Sequence, residues 1–158
     1  NYKKKIKIYI CGPTVYNKIH IGNLRTFIFF DILKRYIKYI GYKVNFVSNI
    51  TDIGHIYNNE DKIIKKSFLK KKKPIEIITK YIYNYHYNLL KLNIYPPNIE
   101  ILASNNITEQ IKIINMLIKK KITYFKNKSI YLNISKYIKY YKYGIFKKIN
   151  NKIKDFCI

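Results

Sequence analysis

Residues 6–47 read IKIYICGPTVYNKIHIGNLRTFIFFDILKRYIKYIGYKVNFV, and the parsing of this stretch decides the fold. IKIYI at 6–10 is a short β-rich run halted by Cys11-Gly12-Pro13, the punctuation of a strand feeding a loop. Residues 22–40 then carry Leu24, Phe27, Ile28, Phe30, Leu33, Ile37 and Ile40, with few charges before Lys34 and Arg35. A segment apolar on most sides is expected to form a helix sandwiched between layers. Gly41 stands where a C-cap glycine belongs, and KVNFV at 43–47 is a second β-rich run. Strand, loop, helix, glycine and strand make a βαβ unit, with parallel strands and a right-handed crossover. The fold class is therefore α/β.

Downstream the pattern turns helical. Pro74 sits where a first-turn proline would, and Ile75, Ile78, Ile82, Tyr85 and Leu89 follow at gaps of three and four. The run Lys70–Lys73 before it reads as a solvated helix end. A further helix is expected over 107–120, with Asn106 as its cap, Glu109 three residues on, and an apolar stripe of Ile107, Ile111, Ile114 and Ile118. Lys119 to Lys121 meet its negative end. ITYF and SIYLNI, separated by Lys126-Asn127-Lys128, predict a β-hairpin. The tail from 135 to 158 has no assignable pattern, and there is no internal repeat.

At 158 residues and 48% hydrophobic, the chain has material for one core. Its formal charge of +24, from 32 Lys and Arg against 8 Asp and Glu, attracts polyanions and makes any RNA binding salt-dependent. The charge does not name a partner, because the dominance of Lys, Ile, Asn and Tyr is what an A- and T-rich genome imposes on any protein. Cys11 and Cys157 lie at opposite ends, so spacing gives neither a disulfide framework nor a close pair of metal ligands, and a reducing cytosol is the simplest setting. No apolar run approaches the roughly 18 residues of a membrane span, and no secretory leader is legible. The chain begins at Asn1 rather than at methionine and reads as a piece of a longer product.

In an open parallel sheet, ligands bind beyond the carboxyl ends of the strands, where the first strand delivers Cys11 to Asn23. A helix starting near His20 offers free N–H groups to an anion, and Gly22 keeps the backbone open to a phosphate or base. His20 and Asn23, three apart, project from one face of the first turn. Two readings stay open from these residues alone: a pair of side chains over a triphosphate, or ordinary helix caps. Cys11 is either a small buried hydrophobe or one metal ligand, and a single thiolate does not hold zinc. His86 falls in an amphipathic helix and reads as structural; His55, after Gly54, is expected in a loop near the site.

Taken together, YICGPTVYNKIHIGNLRTFIFFDILKRYIKYIGYKVNFVSNITDIGHI and the following NEDKIIKK closely resemble the opening of the catalytic domain of the cysteinyl-tRNA synthetases, a class I aminoacyl-tRNA synthetase family. The similarity lies in order and spacing: C-G-P-T-V-Y, nine residues from Cys11 to His20, then G-Y-K-V and N-I-T-D, with Thr51 forty residues from Cys11. Weaker resemblance runs on through LNIYPPNIE and TEQI to SIYLNI. It spans most of this chain and about the front third of a full-length member.

The resemblance implies the first half of a Rossmann-like nucleotide-binding fold, with a helical stretch and a small β-hairpin from the connecting insertion. It implies a single incomplete catalytic domain over 1–158: a βαβ core with an ATP and cysteine corner at 1–55, a helical region at 60–125, and hairpin and tail at 122–158. His20, Gly22 and Asn23 match the ATP-binding signature, whose last position is often histidine; Asn23 departs from it, although an amide still donates to a phosphate or ribose oxygen. His20 and Asn23 are the implied catalytic pair, and Pro13 and Thr14 join them in holding ATP with Mg2+. Gly12, Thr14 and Thr51 are implied in the amino-acid pocket. Cys11 matches the first ligand of a zinc ion that takes the substrate thiolate, so that selectivity over serine rests on soft-ligand preference. The implied reaction is ATP-dependent activation of L-cysteine to cysteinyl-adenylate and transfer to tRNA(Cys) in the cytoplasm, with no membrane involvement.

The family's lysine-methionine-serine-lysine-serine loop, its remaining zinc ligands and its anticodon-binding helices do not occur in these residues. Cys157, in KIKDFCI, lacks the neighbours of the second zinc cysteine. The piece alone is therefore expected to be inactive, with an exposed sheet edge where a missing C-terminal half would pair. The alternatives are a cysteine ligase acting on an amino-sugar acceptor and an inactive remnant with only basic RNA binding.

Overall fold

The computed structural model describes residues 4–54, 56–57, 60–143 and 156–157. In chain order it contains β1 (Lys5–Ile10), α1 (Ile21–Tyr39), β2 (Lys43–Ile50), the two-residue strands β3 (Ile56–Tyr57) and β4 (Glu60–Asp61), α2 (Lys62–Lys70), α3 (Pro74–Lys91) and β5 (Ile99–Leu102). After a 3-10 turn at Ser104–Asn106 come α4 (Ile107–Lys119), β6 (Thr123–Lys126), β7 (Ser129–Leu132), α5 (Ile134–Tyr140) and β8 (Phe156–Cys157). They fall into two compact units, Asn1–Asn106 and Ile107–Ile158.

In the first unit β1 and β2 pair in parallel, Ile6 opposite Val44 and Ile10 opposite Ser48, with α1 as the crossover. β5 joins β2 in parallel on its other side, giving the order β1-β2-β5. β1 thus has one strand partner among the described residues and a free outer edge. The expected glycine stop is present in full: Gly41 has φ 87 and donates to Lys38 O at 2.9 Å, and Tyr42 N–H donates to Ile37 O at 3.1 Å. These two bonds reverse the chain at a left-handed residue and start β2 at once.

β2 buries Val44, Phe46, Ser48 and Ile50 in strict alternation, so one face of the strand forms the core. Against it lie Leu24 and Phe27 of α1 and a four-residue-spaced series from α3, Ile77, Tyr81, Tyr85 and Leu89. The expected α3 stripe is rotated: Tyr85 and Leu89 are buried, Ile78 and Ile82 only partly, and Ile75 is exposed. The i, i+4 row through Ile77 meets α1 instead, where the Phe27 and Tyr85 rings lie 5.3 Å apart.

The expectation that α1 is sandwiched is corrected. Ile21, Phe29, Ile32, Tyr36 and Tyr39 are exposed, because among the described residues only one side of the helix is covered. Its buried face includes Asp31 and Lys34. Lys34 Nζ donates to Tyr95 O at 3.0 Å and Pro96 O at 3.1 Å. Asp31 accepts from Arg35 Nε at 2.7 Å and from Tyr95 N–H at 3.1 Å, and Arg35 also donates to Asn93 O. These bonds staple the α3–β5 connection to α1, and each buried charge has hydrogen-bonding partners.

In the second unit β6 and β7 form the expected hairpin. Asn127 and Lys128 have φ 49 and 61, the two left-handed residues of a type I′ turn, and Tyr124 stacks on Tyr131 at 5.5 Å. The unassigned tail contributes α5, capped by the Asn133 side chain accepting from Lys136 N–H at 2.9 Å, and β8, antiparallel to β7. Residues 144–155 lie outside the described residues. No residue of α4 is buried, so its apolar stripe is not covered among the described residues. Asn106 does not accept from the helix; its amide donates backward to Leu102 O at 3.0 Å, because a 3-10 turn rather than an extended residue precedes α4. No helix among the described residues is long and apolar enough to cross a membrane.

Candidate functional site

The loop from Cys11 to His20 leaves the carboxyl end of β1 and is tied to the end of β2 by backbone bonds. Thr14 forms a parallel bridge with Thr51: Thr51 N–H donates to Pro13 O at 3.0 Å, and Val15 N–H donates to Thr51 O at 3.2 Å. Gly12 is pressed against β2. Its N–H donates to Asn49 Oδ1 at 2.9 Å, and a Cβ there would stand 1.5 Å from the Asn49 carbonyl oxygen. No other residue fits that approach.

Asn49 is the centre of this junction. Oδ1 also accepts from the Tyr9 hydroxyl at 3.1 Å, and Nδ2 donates to Thr51 Oγ1 at 3.2 Å. One carboxamide therefore joins the residue two before Cys11, the residue after it, and Thr51. Partial burial, and then the adjacent Cys11 thiol, push the Tyr9 phenol above its usual range. Asp52, the next residue, is buried and accepts from Ser104 N–H at 3.0 Å and Ser104 Oγ at 2.5 Å, closing the ends of β2 and β5 together.

His20 occupies the N-cap position of α1 with φ −121 and ψ 169, and its carbonyl accepts from Asn23 N–H and Leu24 N–H, both at 3.0 Å. Its side chain makes no cap bond, so the capping alternative fails for His20. The ring lies over Gly22 instead: Cε1 and Nδ1 would be 3.1 Å from a Cβ at that residue. The N–H groups of Ile21 and Gly22 have no carbonyl one turn earlier and remain for an external acceptor.

Two cavities flank Asn23. One of about 370 Å³ is lined by Tyr9, Cys11, Gly12, Pro13, Gly22, Asn23 and Thr26, among others. The other, of about 170 Å³, is lined by Thr14, Tyr16, Lys18, His20, Asn23 and Tyr85, among others. The fold thus gathers Cys11, Gly12, Pro13, Gly22 and Asn23 at one opening and Pro13, Thr14, His20 and Asn23 at its neighbour. Thr51 lines neither; it stands behind the loop, bonded to it. Cys11 is exposed, and no group of three or more His, Cys, Asp or Glu that could hold a metal occurs among the described residues. One thiolate does not fit a complete zinc site. His55 and the Cys157 side chain lie outside the described residues. His86 is at a structural contact, its Nε2 2.6 Å from Glu100 Oε2.

A comparison with protein families matches residues 1–155 to the tRNA synthetases class I (C) catalytic domain. The chain belongs to this family. Among similar proteins are cysteine–tRNA ligases of Azobacteroides pseudotrichonymphae (43% identical over 147 residues, 90% of this chain and 30% of the relative) and Porphyromonas gingivalis (39% over 153 residues, 94% and 31%). A cysteine–tRNA ligase of Borreliella afzelii is 42% identical over 134 residues, 82% of this chain and 28% of the relative. The chain therefore spans about 30% of the length of the curated relatives it matches. A crystal structure assigned as an arginyl tRNA synthetase from Campylobacter jejuni superposes with a TM-score of 0.60 over 86% of this chain and 39% of the other, at 16% identity. That likeness concerns the fold and agrees with a partial Rossmann-like α/β domain.

Within this class I family member, the sequence singles out Cys11, Gly12, Pro13, Thr14, His20, Gly22 and Asn23 among the residues at the two openings; it does not single out the others, among them Tyr9, Tyr16, Asn17, Lys18, Thr26 and the Tyr81 and Tyr85 wall from α3. It also missed Asn49. The available signal was position: Asn49 is the first residue of N-I-T-D, two before Thr51, and on a strand residues two apart share a face.

Proposed function

We propose that this chain is the cysteine- and ATP-facing part of a cysteine–tRNA ligase. Its relatives bear that name, and Cys11, Gly12, Pro13, Gly22 and Asn23 line one opening beside the N-terminus of α1; this placement carries the reading. ATP with Mg2+ lies along Pro13, Thr14, His20, Gly22 and Asn23, its negative charge facing the Ile21 and Gly22 N–H groups and the positive end of a 19-residue helix. His20 and Asn23 donate to phosphate or ribose oxygens, and the ring of His20 is held off the helix cap for that purpose. Gly12, Thr14 and Thr51 orient the amino acid. The cysteine carboxylate attacks the α-phosphate, its oxygen forming the new P–O bond as pyrophosphate leaves, and the adenylate then passes its acyl group to the terminal ribose of tRNA(Cys). The contribution of these residues is positioning and charge stabilisation.

Cys11 is proposed as one ligand of a zinc ion, whose other ligands come from outside the described residues. Both compact units belong to one catalytic domain in this reading, and the remaining groups are supplied by a C-terminal half, so the piece alone is inactive or nearly so. The setting is the cytoplasm.

The test is cysteine-dependent ATP–pyrophosphate exchange, with serine as control, on the chain expressed together with whatever its own or the neighbouring reading frame adds. Exchange with cysteine and not serine is expected, and charging of tRNA separates a tRNA ligase from one that uses an amino-sugar acceptor. No cysteine activation with zinc present sinks the enzyme reading, and salt-sensitive RNA binding as the sole activity identifies a remnant.

A further inference from the structure

We infer that the outer face of α3 is a stacking platform for an unpaired stretch of RNA, built from Tyr83 and Tyr87 between Lys80 and Lys91.

The helix has two aromatic rows with different surroundings. Tyr81 and Tyr85 belong to the buried row with Ile77 and Leu89, and core packing accounts for them. Tyr83 and Tyr87 stand two residues further on, about 200° around the helix, and both are exposed. Their rings lie 6.1 Å apart with planes only 17° from parallel. Lys91 Nζ stands 4.9 Å from the centre of the Tyr87 ring, which closes the pair at one end with a cation. The other end is open, since Tyr83 is 70% exposed, and the exposed Lys80 comes one turn before it. Residues 80, 83, 87 and 91 are spaced by three and four, so cation, ring, ring and cation follow one another along one face. Beside the rings runs a cavity of about 420 Å³, lined by Tyr83, Tyr87, Leu90 and Pro96, among others.

No carboxylate lines this cavity. Between Glu76 and Glu100 the chain has no Asp or Glu at all, and both of those side chains are engaged: Glu76 accepts from Lys73 N–H at 3.0 Å, and Glu100 Oε2 lies 2.6 Å from His86 Nε2. The face is therefore cationic and aromatic together. Flat rings open on one side extend a stack of bases, and the flanking ammonium groups meet the phosphates that join them. Bases held in a duplex cannot add to such a stack, so the ligand is unpaired. Among polyanions RNA is chosen because the chain belongs to a family of tRNA synthetases. The platform is apart from the openings beside α1, so it stands or falls independently of cysteine activation.

The experiment follows the fluorescence anisotropy of three labelled probes with the full chain: a short strand of uridines, the same strand without bases, and an RNA duplex of equal length. The uridine strand should bind more tightly than the strand without bases. Tyr83→Ala and Tyr87→Ala should each weaken it about fivefold or more, the loss expected for one stacked base. The same changes should alter binding of the baseless strand and the duplex by less than about twofold, because those contacts are electrostatic. Phenylalanine at either position keeps the ring and should restore binding. Lys80→Gln and Lys91→Gln should each lower the salt dependence of binding by about 0.7 in log–log slope. Equal binding of the two single strands, unchanged affinity in the alanine variants, or an equal loss for all three probes overturns the platform and leaves only a diffuse basic surface. A Glu-Leu repeat peptide that responds to the tyrosine changes when the RNA does not makes the face a protein-docking site and also overturns it. Both rings are exposed, so circular dichroism should show the fold retained; Tyr83→Leu and Tyr87→Leu, which keep an apolar side chain without a ring, repeat the comparison if alanine loosens the helix.

Discussion

Replacement of Gly12 by alanine puts a methyl carbon where the fold has no room. It would meet the Asn49 carbonyl oxygen at 1.5 Å, the carbonyl carbon at 2.7 Å and Ser48 Oγ at 2.9 Å. Ser48 is fully buried, and the carbonyl belongs to β2, so neither moves aside by a rotamer change. The end of β2 must retreat until the 1.5 Å contact exceeds 3.0 Å. That displacement breaks the Gly12 N–H bond to Asn49 Oδ1 and the two backbone bonds of the Thr14–Thr51 bridge. Three hydrogen bonds together with overpacking of a tight site come to about 4–6 kcal/mol. For a domain whose whole stability is typically about 5–15 kcal/mol, most of the folded population is at stake. Urea unfolding of the full chain, followed by far-ultraviolet circular dichroism, should show a much lower midpoint or no cooperative transition. A Gly12→Ala midpoint equivalent to a loss of less than about 1 kcal/mol would refute the reasoning, because it would mean that the loop and β2 are not in contact as described.

Gly22→Ala is the contrasting case: the obstacle is the rotatable His20 ring at 3.1 Å, so stability should change by less than about 1 kcal/mol while the His20 ring resonances shift in an NMR spectrum. Lys34→Met removes both bonds to the Tyr95 and Pro96 carbonyls and should cost about 2–4 kcal/mol in chemical unfolding; a neutral result would show that the staple is not formed. Burial lowers the pKa of Lys34 below 10.5, so the unfolded chain binds this proton more tightly and stability rises with pH over the interval below 10.5; Lys34→Met should abolish that rise. Tyr85 has the opposite sign. Burial, and then the nearby Glu100 carboxylate, push its phenol well above 10.0, so its contribution is present below pH 10 and is lost above it; Tyr85→Phe should flatten the alkaline decline in stability. Its buried hydroxyl has no well-formed hydrogen bond, so at pH 7 Tyr85→Phe should lie within about 1 kcal/mol of the unaltered chain.

Local elements were legible where one physical rule decides them. Gly41 ends α1 because a left-handed residue closes the helix, Pro74 opens α3 because its missing N–H costs nothing in the first turn, and Asn127-Lys128 turns the hairpin. Elements that depend on distant partners were not. β5 is four residues long and is a strand only because Ile99 to Leu102 lie beside Val47 to Ile50. Asp31 and Lys34 are buried charges that no local pattern marks, because the Tyr95 N–H bonds Asp31 and the Tyr95 and Pro96 carbonyls bond Lys34 from more than sixty positions away in the chain. The stripe on α3 was misplaced by part of a turn because isoleucines occur on several of its faces, and contact with Phe27 chose among them.

The same division holds at the site. The sequence by itself determined the chemical inventory and the family, since C-G-P-T-V-Y, the spacing to His20 and N-I-T-D is a pattern in the chain's own order. It also placed that inventory after a first parallel strand, because periodicity and glycine stops act over a few residues. Tertiary structure decided how the inventory is held. It showed that His20 does not cap its helix, that Gly12 is glycine because β2 leaves no space for a side chain, and that Asn49 joins Tyr9, Gly12 and Thr51 through one carboxamide. Hydrogen bonds between residues some forty positions apart exist only once two strands lie side by side, so no local pattern announces them.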